Sequence, residues 1–152
     1  MDNAYIQENR KQKERLSRLV NEISDRELSL KLYSEGWTVA VALAHLAFWD
    51  QRRLLLVRKW EKEGYNPAAY NDDTTNLIND ILLPFFLALD PRKAARMAVL
   101  IAEELDRELE KISPDLKEAL LKSGDRHALN RGVHRKMHLD EIDKLLRRPA
   151  TG

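Results

Sequence analysis

Val39-Ala-Val-Ala-Leu-Ala-His45-Leu-Ala-Phe-Trp49 reads as helix buried on nearly every side, and His45 is its only ionisable side chain. Ala42, Leu46 and Trp49 fall on the same stripe as His45, which points the imidazole inward. A buried imidazole costs free energy unless something satisfies it. A second pair, His134-Arg-Lys-Met-His138, stands one helical turn apart on one face. Positions 134, 138, 142 and 145 run His, His, Ile, Leu along one ridge, the pattern of a helix packing inward on that side. Arg131, Arg135 and Asp143 are expected on the solvent side of the same helix. A lone His in an apolar helix is commonly bonded to a carbonyl, and His-x-x-x-His is common on surfaces. Taken together, His45, His134 and His138 supply what each lacks alone: a three-nitrogen set with room for a further ligand. His127 precedes that helix and is expected at the surface.

The periodicity around these segments is helical. A first helix is expected from Asn3 to Ser24, with Leu16, Leu19, Val20 and Ile23 as its core stripe, followed by a short amphipathic piece over Glu27–Tyr33 that ends at Gly36. Thr38 should cap the second helix, and Gly64 should stop it after Glu63. Asp90-Pro91 opens a third, in which Met97, Ile101, Leu105 and Leu109 align beside the small Ala94, Ala98 and Ala102. Ser113-Pro114 starts a short helix to Lys122, and a fourth long helix is expected from Leu129 to Arg148. The fold class is therefore all-α: a four-helix bundle in which a long crossover, Tyr65 to Leu89, joins helices two and three. Such a crossover makes two sequential helices parallel. It should carry its own short helix broken near Pro84. Ile81, Leu82, Leu83, Phe85, Phe86 and Leu87 are too apolar to float in water, and must cover the bundle's end, a pocket or a partner.

Residues 1–148 are expected to form one domain, with 149–152 as a flexible tail. Net charge is +1, so no overall field favours nucleic acid or an anionic membrane. The basic Arg10-Lys-Gln-Lys-Glu-Arg15 is interleaved with Glu8 and Glu14 and is expected to be a solvated helix face. No run is long enough to span a bilayer, and the N-terminus lacks the apolar core of a signal peptide. The expected location is the cytoplasm. The chain has no Cys, hence no thiolate ligand and no thiol nucleophile of its own.

Three imidazoles suit Zn²⁺ or Ni²⁺, and Fe²⁺ is also accepted. Asp50 and Glu141 are the nearest carboxylates that could receive a ligand's second N–H, with exposed ion pairs as their plainer role. Trp49 and Asn79 are candidate pocket residues. Tyr65, Tyr70 and Asn76 lie in the same crossover and could also reach an open site.

Gly36-Trp-Thr38 followed by Ala42-Leu-Ala-His45-Leu-Ala-Phe-Trp49 resembles the second-helix motif of the DinB/YfiT-like superfamily of metal-binding four-helix bundles. His134-Arg-Lys-Met-His138-Leu-Asp-Glu-Ile142 is similar to its fourth-helix motif. The resemblance implies His45, His134 and His138 as metal ligands and a homodimer as the assembly. Within the superfamily the chain looks most like the mycothiol-dependent maleylpyruvate isomerase and thiol-transferase branch. That implies a metal-dependent enzyme adding a low-molecular-weight thiol cosubstrate to an electrophilic small molecule. The full isomerase carries a further C-terminal domain beyond the length read here, so the expectation rests on thiol transfer in general. Hydrolysis by metal-bound hydroxide is the alternative chemistry, and a non-catalytic metal- or ligand-binding stress protein the alternative class.

Overall fold

A computed structural model describes residues 3–67 and 71–147. Among these residues it contains seven helices and no strand: α1 (Ala4–Glu22), α2 (Asp25–Leu28), α3 (Val39–Glu63), α4 (Asp72–Ala88), α5 (Pro91–Glu110), α6 (Pro114–Lys122) and α7 (Gly132–Leu145). Side-chain caps set many of the boundaries. Thr38 accepts from the Val41 amide, Asp90 from Lys93 and Ser113 from Leu116, each satisfying a first-turn N–H.

The four long helices run up, down, down, up. Tyr5 donates to the Leu109 carbonyl at 3.0 Å, while Arg92 at the other end of α5 donates to the Val20 carbonyl at 2.9 Å, so α1 and α5 are antiparallel. Ala44 and Ala47 line one cavity with Ala94 and Met97, and Arg58 pairs with Glu104 and Glu108, so α3 and α5 run parallel. The crossover therefore does what its length demands. Alanine at 94, 95, 98 and 102 lets α5 press closely on α3, and all four are buried.

Two apolar clusters fill the bundle. One holds Leu16, Leu19, Leu43, Leu46, Leu139 and Ile142; the other holds Tyr5, Leu54, Val57, Leu105, Leu109 and Leu129. Along α1, α3 and α7 the buried polar residues Asn9, Gln12, Asp50, Arg131 and Arg135 fall between these clusters, so a charged layer divides the core.

Several expectations need correction. The crossover helix is not broken at Pro84: α4 runs through it for 17 residues. Asp80 and Pro84 are both exposed, so water can satisfy the carbonyl that proline leaves unpaired. The piece expected over Glu27–Tyr33 is instead a single turn, Asp25–Leu28, closed by a Ser24/Glu27 capping box. The fourth helix begins at Gly132 rather than Leu129, because Asn9 takes the Leu129 carbonyl and the Gly132 amide at 2.9 and 2.8 Å. Met97 is 41% exposed, and the alanine stripe beside it forms the contact face. Arg15 and Gln12 are buried, so α1's basic stretch is not a purely solvated face. The tail expected over 149–152 lies outside the described residues.

Candidate metal centre

Near the end of α3 that carries its N-terminus, α3 meets α7 antiparallel and presents His45 to His134 and His138. The Nε2 atoms of His45 and His134 are 3.0 Å apart. One ring nitrogen from each of the three residues lies within 4.8 Å of the others. His138 uses Nδ1 with the Tyr33 hydroxyl at 2.9 Å, and its Nε2 is buried with no hydrogen-bond partner. Two nitrogens on one tetrahedral ion with bonds of 2.0–2.1 Å would stand about 3.3 Å apart. The His45–His134 spacing and the orphaned Nε2 of His138 both fit a shared cation. A direct bond between two neutral imidazoles would satisfy only that one pair.

Electrostatics favour the ligand form of each ring. Burial pulls His45 down to about 3, helped by His138, and pulls His138 down to about 4. Burial, then Arg131, holds His134 well below the ordinary value. All three are therefore neutral at neutral pH, with lone pairs to offer.

The three rings open onto a cavity of about 750 Å³. Trp37 packs edge-on to His45 at 5.1 Å between centroids, and Trp49 follows at 6.4 Å. Trp49 donates its indole N–H to the Asn79 side-chain oxygen at 2.9 Å, tying α4 to the cavity wall. Trp49 and Asn79 both line the cavity, as does Thr75. Tyr65 instead packs on Trp60 at 5.0 Å, Asn76 is exposed, and Tyr70 lies outside the described residues.

The family model for the mycothiol maleylpyruvate isomerase N-terminal domain matches residues 10–150. The chain belongs to this DinB-like family. No curated protein and no solved structure gives a significant match.

The family's two histidine segments sit on a support that the histidine pattern did not reveal. Arg135 is fully buried and donates to Asp50, to Asp106 and to the Asn9 carbonyl at 2.8–3.2 Å. Arg131 donates to Asp50 at 2.9 Å and to the His127 carbonyl at 3.0 Å. Asp143 is buried as well, bonded to Arg15 at 2.7 Å. The solvent-side expectation for Arg131, Arg135 and Asp143 is thus overturned: α7 buries charge beside its histidines because α1, α3 and α5 supply the partners. Asp50 serves these arginines in a buried ion-pair layer and is neither an exposed pair nor a partner of an imidazole. Glu141 is exposed. Tyr33, absent from the sequence candidates, is the residue that bonds His138. His127 is partly exposed and also lines the cavity, held by its amide to Asp125 at 2.9 Å.

Proposed function

We propose that His45, His134 and His138 hold one divalent ion, Zn²⁺ or Ni²⁺ before Fe²⁺, and that this family member transfers a low-molecular-weight thiol to an electrophilic small molecule. The observation that carries this reading is the convergence of three neutral imidazoles, one with an orphaned Nε2, at the wall of an open cavity. A divalent ion held there would supply Lewis acidity that lowers the pKa of a coordinated thiol. The chain has no Cys, so the sulfur must arrive with a cosubstrate. The family description names mycothiol, which is a thiol of that kind.

The chain's own residues bind and orient. Trp37 and Trp49 offer flat apolar walls to the electrophile, and Asn79 fixes the Trp49 indole. Neutral imidazoles leave the ion's positive charge undiminished, which favours a thiolate over a thiol. We further take residues 1–148 as one functional unit working in the cytoplasm. A second copy is proposed as its partner. Exposed Leu77, Ile81 and Phe85, spaced four residues apart on α4, support that assembly. No helix among the described residues is long and apolar enough to cross a membrane.

The test is consumption of an electrophile such as a chloroarene or maleate-type acceptor, with mycothiol added to metal-loaded and chelated protein. Turnover that needs both thiol and metal is expected. Hydrolysis of ester or amide substrates without thiol would replace this reading with metal-hydroxide chemistry. No metal-dependent turnover of either kind would favour a non-catalytic binding protein.

A further inference from the structure

Between α2 and α3 the chain doubles back over the metal centre. Lys31 and Thr38 form an isolated antiparallel bridge. The Leu32 amide donates to the Trp37 carbonyl at 2.9 Å and the Val39 amide to the Leu30 carbonyl at 3.0 Å. Glu35 and Gly36 turn the corner with φ of 69° and 89°. The positive φ at Gly36 is the left-handed conformation that glycine adopts without steric cost. This hairpin carries Tyr33 and Trp37, whose rings meet edge to face at 5.8 Å. Trp37 rests on His45, and Tyr33 both bonds His138 through its hydroxyl and meets its ring at 5.8 Å.

A neutral imidazole has one N–H and one lone pair, on different nitrogens. If the phenol donated to Nδ1, the His138 proton would sit on Nε2, buried and unpartnered, which is a costly arrangement. If Nδ1–H donates to the phenol oxygen, Nε2 keeps its lone pair and turns it toward His45 and His134. Only the second arrangement makes His138 a ligand.

We propose that Tyr33 is a positioning residue: its hydroxyl oxygen accepts the Nδ1 proton of His138, fixes Nε2 as the metal-binding nitrogen, and couples the 31–38 hairpin to metal occupancy. The proposal rests on the three-histidine metal reading. It assigns to a loop tyrosine the role that sequence reasoning offered to Asp50 and Glu141. Outer partners of this kind typically change metal affinity by 10–100-fold when removed.

The experiment compares zinc affinity, by competition with a chromophoric chelator, in the native protein, Tyr33→Phe and His138→Ala. It adds long-range ¹H–¹⁵N spectra of the histidine rings and hydrogen exchange over 31–38, with and without zinc. Tyr33→Phe keeps both ring contacts and should fold normally while binding zinc about 10–100-fold more weakly. In the zinc-loaded native protein His138 should keep its proton on Nδ1. The Leu32 and Val39 amides should exchange more slowly with zinc in the native protein, and less so in Tyr33→Phe. Equal affinity in native and Tyr33→Phe overturns the proposal alone, as does zinc bound at Nδ1 of His138; the ring spectra decide this even without the variant. No zinc binding by the native protein, or undiminished binding by His138→Ala, overturns the metal reading and this proposal with it.

Discussion

Arg135 is the side chain on which the interior of this bundle depends most. A guanidinium with no solvent exposure is tolerated because two carboxylates and a backbone carbonyl accept its N–H groups. Burial raises the Asp106 carboxyl while Arg135 pulls it back down, so the acid relies on the arginine as much as the reverse. Replacing such a cluster entirely by apolar groups can be harmless, but removing one member strands the others. Arg135→Met should therefore lower unfolding free energy by about 3–5 kcal/mol in urea titrations, because Asp106 would be left buried and uncompensated while Asp50 would keep only Arg131. A loss below about 1 kcal/mol would mean that the carboxylates find water or another cation and that the layer is not a structural unit. This layer was hidden from a reading that assigns charged residues on a helix to its outer face. The hint was present: Asp50 ends an apolar run on α3 and Asp106 lies between Leu105 and Leu109, so each acid falls on a core stripe and needs a cation.

The decisive contact among elements is α1 against α7. A Cβ at Gly132 would lie 2.8 Å from the Glu8 Cγ and 2.9 Å from the Glu8 carbonyl oxygen, and the backbone oxygen cannot rotate away. Gly132→Ala must push the start of α7 off α1, two residues before His134. A cost of about 1–3 kcal/mol, seen as a lowered melting temperature, is expected from such overpacking. An unchanged melting temperature would show that α1 and α7 slide freely there. The long helices were legible in the sequence because caps and 3.6-residue periodicity are local signals. Thr38, Asp90-Pro91 and Ser113-Pro114 mark real boundaries. The start of α7 was not legible, since Asn9, more than a hundred residues upstream, bonds the Leu129 carbonyl and the Gly132 amide there. Pro84 misled for the opposite reason: a local breaker signal lost to an exposed helix side where water replaces the missing bond.

At the scale of the molecule, the up-down-down-up course places α3 beside α7 although 89 residues separate His45 from His134. Parallel packing of α3 on α5 and of α7 on α1 fixes the register in which the imidazoles meet. The histidine triad was legible because an ionisable ring in an apolar helix and a one-turn pair on another each want a partner. The hairpin that covers it was not, because Tyr33 and Trp37 reach the site through a turn with no periodicity. Polar layer, hairpin and cavity all position three neutral nitrogens around one point, and the functional account stands or falls with what that point holds. The measurement is metal content of the purified protein beside that of His138→Ala, each verified as folded by circular dichroism. About one divalent ion per chain in the native protein and a small fraction of that in the variant is the predicted result. Equal metal in both, or none in the native protein after growth with zinc and nickel, would contradict it.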